Sequence, residues 1–222
     1  MLASLPPASF PASPKPAFIP RHAPVRLART LEGMKRRLSV LTLLSLGLAG
    51  QAGALSLSGT VQGEVTPDTR LGGWAVTPFG QPVQELVSAP VAGGRFSLAL
   101  PDAAPPARVQ VPVDDRLNWP GLIDLTRVSA PAQAAELKFY LYRDTNGSGS
   151  RDDGEPMREV RLNVGRGGVF VVWASAATTV TGSRDYQAAL ERGWNALVVD
   201  VRNTVRVQPY TPQTPVQIDL GR

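Results

Sequence analysis

The chain has 222 residues, with 23 Lys+Arg against 18 Asp+Glu, one histidine and no cysteine. Its formal charge of +5 is unevenly placed, because residues 1–54 hold seven of the basic residues and one acid, Glu32, leaving sixteen basic and seventeen acidic side chains in the rest. A near-neutral body lacks the concentrated cationic footprint of a nucleic-acid binder, and without cysteine it has no disulfide support.

Residues 1–33 carry seven prolines and no sustained periodicity, so they build no core; they are expected to be a mis-assigned upstream extension or a disordered leader. Residues 34–54, MKRRLSVLTLLSLGLAGQAGA, have a basic start, an apolar run and a closing Ala52-Gly53-Ala54. That is the layout of a secretory signal peptide cleaved after Ala54, with Met34 as the expected initiator. The apolar run is too short for a membrane-spanning helix, and no second one follows in the mature chain. The cleavage site has no lipid-accepting cysteine. The expected location is therefore the periplasm or the extracellular space.

From residue 55 onward, period-two alternation dominates. RFSLAL sets Phe96, Leu98 and Leu100 on one face, and RVQVPV groups Val109, Val111 and Val113. ELKFYLYR aligns Leu137, Phe139 and Leu141; EVRLNV aligns Val160, Leu162 and Val164; VQIDL aligns Val216, Ile218 and Leu220. Such alternation marks half-buried antiparallel strands. Further strands are expected at 57–65, 70–77, 168–174, 177–182, 194–201 and 204–208. The segment SRDYQAALERG offers a helix capped by Asp185 and stopped by Gly193, or a strand with Tyr186, Ala188 and Leu190 inward; the strand is favoured. Turn residues at short intervals predict an all-β, antiparallel β-sandwich. Residues 55–113 and 136–222 are expected as N- and C-terminal β lobes joined by a linker at 114–135, forming either two small lobes or one sandwich.

The most informative stretch is YRDTNGSGSRDDGEP, residues 142–156. With Asp144 as position 1, Asn146 falls at 3, Ser148 at 5, Gly149 at 6, Ser150 at 7, Asp152 at 9 and Glu155 at 12. A calcium loop needs this spacing: side-chain oxygens at 1, 3 and 5, a carbonyl at 7, a water-linked group at 9, a bidentate carboxylate at 12, and Gly at 6 for the sharp turn. Ca2+ is the expected cofactor. The loop resembles EF-hand and dockerin calcium loops, but with strands on both sides. In that setting it is similar to the loops of repeat B domains in bacterial surface adhesins. Those are calcium-binding sandwiches related to transthyretin-like and carboxypeptidase-regulatory-like modules. The resemblance covers the loop and its flanking strands, about 137–164, and implies Asp144, Asn146, Ser148, Asp152 and Glu155 as ligands, with Ser150 giving its carbonyl. Arg151 departs from it at position 8, where such loops carry an apolar residue. Arg143, Arg151 and Arg158 surround the site and imply modest affinity.

Little else suggests chemistry. The one histidine, His22, precedes the signal peptide, so the mature chain can form neither a Ser-His-Asp nor a Cys-His centre, nor a zinc site of the usual ligands. Asp114-Asp115 reads as a turn. Trp74 and Trp173 lie in strand patterns and are expected in the core, whereas Trp119, before Pro120-Gly121, is expected at the surface, where an indole could stack on a sugar or anchor a peptide. The expected function is a non-enzymatic cell-envelope or surface structural or interaction protein with one calcium-stabilised loop. The alternative is a carbohydrate- or peptide-binding module using exposed tryptophan. Envelope or surface proteins or polysaccharide are the expected partners, with no nucleic acid and no transmembrane segment in the mature chain.

Overall fold

The computed structural model describes residues 55–221; the expected leader 1–33 and signal peptide 34–54 lie outside the described residues. The chain opens with β1 (Ser56–Gln62), β2 (Thr69–Val76), β3 (Pro82–Pro90) and β4 (Arg95–Ala99). A 3-10 turn at Ala107–Val109 leads to β5 (Val111–Pro112) and β6 (Leu125–Val128), then to the longest strand, β7 (Gln133–Arg143). There follow β8 (Met157–Val160), β9 (Asn163–Val164), β10 (Gly167–Ala174), β11 (Thr178–Gly182) and β12 (Gln187–Leu190). The last are β13 (Gly193–Val201), β14 (Val205–Pro209) and β15 (Val216–Asp219). The all-β class expected from the alternation is what forms: no α-helix occurs among the described residues, and none of their helices is long and apolar enough to cross a membrane.

One large sheet runs in the order β3-β2-β7-β10-β9-β15-β1-β4, with β13, β14, β5 and β8 attached beside that path. Its two ends, β3 and β4, lie against each other, so the sheet curls into a near-barrel. A second, three-stranded sheet has the order β12-β11-β6. Pairing is antiparallel except between β1 and β15, which run parallel. Strands of 55–113 pair directly with strands of 136–222, through β1–β15 and β2–β7.

β7 organises the large sheet. Along one edge it pairs with β5 and then β2; along the other it pairs with β10 over residues 134–137 and with β8 over residues 139–142. At Lys138, β8 and β10 part company and leave a fork in the sheet.

Two main cores result. The first, inside the curl, contains Leu57, Leu71, Phe96, Leu98, Phe139, Val216 and Ile218. The second lies between β10–β13 and the small sheet, and contains Trp119, Phe170, Val172, Val180, Tyr186 and Leu197. β10 serves both, with Val171 in the first core and Phe170 and Val172 in the second. That explains why GVFVVWA is a continuous apolar run: a strand covered on both faces has no polar side. Residues 114–135 place Trp119, Leu122, Leu125 and Val128 in or against the second core.

The segment with two readings forms β12, with Tyr186, Ala188 and Leu190 buried. Its hairpin turn puts Arg184 and Asp185 at φ 59° and 63°, the handedness a two-residue β-hairpin turn requires. Neither residue is glycine, and the turn is held from outside. The Val205 N–H donates to the Arg184 carbonyl at 2.8 Å, and Arg184 Nε donates to the Asn203 carbonyl at 3.1 Å.

Candidate metal centre

The loop 144–156 closes the β7–β8 hairpin, whose last pair is Tyr142–Met157. Gly149, at the sixth position, has φ +85°, a left-handed conformation that glycine adopts without strain. The Asp144 carboxylate faces the inside of the turn, where Oδ1 accepts the Ser148 N–H and Oδ2 the Gly149 N–H, both at 2.9 Å. Glu155 clamps the neck. Its Oε1 accepts the Thr145 N–H at 2.8 Å and the Thr145 hydroxyl at 3.1 Å, and its Oε2 accepts the Asp152 N–H at 3.0 Å. Asp144 and Glu155 are only 8% and 6% exposed.

All six expected ligand residues are brought together, linked by direct hydrogen bonds. Asn146 Oδ1 accepts the Ser148 N–H at 3.0 Å, Asn146 Nδ2 donates to Asp152 Oδ2 at 2.9 Å, and the Ser148 hydroxyl donates to the Ser150 carbonyl at 2.8 Å. The bond from Asn146 holds the Asp152 carboxyl below its ordinary value. Among the described residues no three acidic, histidine or cysteine side chains converge closely enough to hold an ion by themselves. An ion here would therefore draw on the Asn146 and Ser148 side-chain oxygens and the Ser150 carbonyl as well. The donor set is all oxygen, which fits a hard cation such as Ca2+; to ligate, the Asn146 amide would turn its oxygen inward.

Of the three expected arginines, Arg151 binds a site residue, and Arg143 and Arg158 are engaged with other groups. Arg143 is occupied with Asp68 at 2.8 Å, Arg158 donates to the Leu220 carbonyl at 2.9 Å, and Arg151 Nε donates to the Glu155 carbonyl at 2.9 Å. The guanidinium paired with the Asp144 carboxylate is that of Arg70 on β2, with Nε 3.8 Å from Asp144 Oδ2 and 2.7 Å from the Ser88 hydroxyl. Ser88 in turn meets Tyr142 Oη at 2.9 Å. Burial pushes that phenol up to about 12.

Glu85 on β3 supplies a contact that spacing within the loop cannot reveal. Its Oε2 accepts the Arg151 N–H at 2.9 Å, fastening position 8 of the loop to the face of the sheet. Glu85 Oε1 and Trp74 Nε1 are buried without a partner. Both crowd Gly72: a Cβ there would lie 2.3 Å from Oε1 and 2.9 Å from Nε1. Tyr142 is buried on the side opposite the first core.

The tryptophan expectation is corrected. Trp119 is 5% exposed and packs on Phe170 at a centroid distance of 5.4 Å. The Pro120-Gly121 turn, closed by the Leu122 N–H donating to the Trp119 carbonyl at 3.1 Å, carries the indole into the second core. Trp173 is buried, Trp74 and Trp194 are half-buried, and none is exposed. Asp114 accepts both the N–H and the guanidinium of Arg116, an ordinary turn.

No family model, curated protein or solved structure matches the chain.

Proposed function

We propose that the chain is an exported, non-enzymatic protein of the cell envelope or cell surface, a structural or interaction module in which one Ca2+ ion orders the β7–β8 loop. The observation that carries this is the linked oxygen set of Asp144, Asn146, Ser148, Ser150, Asp152 and Glu155, with its first and last carboxylates almost fully buried. Export to the periplasm or beyond rests on residues 34–54, and the non-enzymatic reading on a mature chain without histidine or cysteine. At the finer level of fold we read the second core as the interior of an antiparallel sandwich of immunoglobulin or transthyretin type, with β10–β13 and β6–β11–β12 as facing layers. The resemblance to repeat B and carboxypeptidase-regulatory-like modules rests on the loop residues. Envelope or surface proteins or polysaccharide are the partners this role implies.

Calcium sites of extracellular modules have dissociation constants of about 0.1–1 mM, so about 1 mM calcium adds only about 0.4–1.4 kcal/mol. The ion orders the loop; it does not create the fold. Thermal melting with calcium and with chelator, on the wild type and on Asp144→Ala, tests this. Calcium should raise the wild-type Tm and leave the variant unmoved. A wild type whose melting ignores calcium and which shows no calorimetric binding refutes the site.

A further inference from the structure

Among the described residues, the large hydrophobic side chains most exposed to solvent are Phe79 at 92%, Ile123 at 59% and Val201 at 52%. They come from three separate segments, yet all three border one cleft of about 900 Å³ at the fork where β8 and β10 separate along β7. An apolar group kept in water on one such tip is ordinary; three gathered round one depression mark a contact surface.

Two proline-set turns build the rims. Between β2 and β3, Pro78-Phe79-Gly80 is closed by the Gly80 N–H donating to the Thr77 carbonyl at 2.8 Å and the Thr77 N–H donating to the Gln81 carbonyl at 2.9 Å. It holds Phe79 at the tip. Across from it, the Trp119–Leu122 turn carries Ile123 and packs against Val199, Val201 and Val205. Rims fixed in this way lose little entropy when a ligand arrives.

The floor contains unspent charge. Lys138 is paired with Glu159 at 3.0 Å, but Glu136, two residues along the same face of β7, has neither hydrogen bond nor ion pair among the described residues. Burial raises its pKa, the effect expected of a carboxyl without a compensating donor. Arg161 and Arg166, also in the cleft, have no salt bridge among the described residues.

We propose that this cleft is the docking site for an extended peptide segment of another protein, which brings a lysine or arginine side chain to Glu136 between apolar side chains resting on Phe79, Ile123 and Val201. Three apolar anchors from separate segments, lining one cleft with a carboxylate, call for several side chains from one ligand. Arg161 and Arg166, lining the same cleft as Glu136, also admit an acidic side chain elsewhere in the segment. A neutral sugar satisfies neither the carboxylate nor the aliphatic rim. The proposal deepens the role as an interaction module and rests on that reading, but it does not need calcium.

Selection of phage-displayed random dodecapeptides on the full chain, followed by fluorescence-polarisation titration of synthetic copies of the enriched peptides, tests it. The enriched set should share a lysine or arginine flanked by apolar residues. Affinity should fall by about tenfold or more on Glu136→Gln, as expected when a buried charge pair loses one member, and also on Phe79→Ser. It should persist in chelator, which separates failure of the cleft from failure of the calcium site. No enrichment, enriched peptides without a basic residue, or unchanged affinity in both variants overturns the proposal. So does an oligosaccharide array that binds in place of peptides and loses binding on Phe79→Ser.

Discussion

Past one end of β7 the chain enters Asp144, whose carboxylate receives two backbone N–H groups and lies 3.8 Å from a guanidinium. Near the other end, Glu136 lines a cleft and has no hydrogen-bond donor among the described residues. The two ends put a buried acid and a half-buried one to different uses. A carboxylate met by N–H donors fixes the conformation of the chain that supplies them. One left without donors fixes nothing and costs desolvation energy, unless something from outside completes it. The loop is thus an internal structural device held by its own hydrogen bonds, while the cleft is an incomplete site.

The largest effect should come from the satisfied end. Asp144→Ala removes two charge-assisted hydrogen bonds inside the turn and should lower stability by about 2–4 kcal/mol in urea denaturation, without calcium, given about 1.5–3 kcal/mol for bonds to charged groups and partial rehydration of the freed N–H groups. Asp144→Asn keeps an acceptor and should cost less. A loss below about 0.5 kcal/mol, the size of an ordinary surface substitution, would place the loop outside the cooperative structure and erase the contrast.

Next comes the seat on which the loop rests. Gly72→Ala puts a methyl group 2.3 Å from Glu85 Oε1, so Glu85 must shift and release the Arg151 N–H. Overpacking of this kind costs about 1–3 kcal/mol, and the Arg151 amide should exchange with solvent faster than in the wild type. Gly168→Ala, at a strand position with open space around it, is the control. If the Arg151 amide is equally protected in both variants, Glu85 does not hold the loop.

These two ends were unequally legible in the sequence. The hydrogen-bonded grouping of the six loop residues was readable because all of them lie within one loop, where spacing is geometry. Arg70 and Glu85 were not, since they arrive from β2 and β3 by tertiary pairing. β3 itself escaped notice for a local reason: its pairing with β2 skips Leu86 and Val83, two bulges that destroy period-two alternation. EVRLNV, expected as one strand, divides into β8 and β9 because the chain leaves β7 after Val160 and joins β10 and β15 at Asn163. Where strands keep an unbroken register, as with Phe96 and Leu98 on β4 against β1 or Val216 and Ile218 on β15 against β1, the alternation translated directly into burial. Glu136 looked like a residue of the solvent face, and only the fork and the turn at residues 119–122 make that face an interior wall.

The smallest effect, and the one that tests the comparison from the unsatisfied end, is expected from Glu136→Gln. Desolvation raises the folded-state pKa of Glu136 above its ordinary 4.5, Lys138 lowers it and Glu159 raises it further. A carboxyl with a raised folded-state value keeps its proton in the folded protein at pH values where the unfolded chain has released it. The folded state then binds more protons, so stability falls as pH rises through that window, and the penalty is complete above the folded value. Removing the charge should therefore stabilise the protein at neutral pH, by less than about 1 kcal/mol because the site is partly open to water. The gain should vanish below the ordinary carboxyl range, where the wild type is protonated in both states. Paired melts of wild type and variant across pH 3–8 measure the difference directly. A variant less stable than wild type at neutral pH would mean that Glu136 already has a cation in the free protein, and the cleft would have no charge left to offer a peptide.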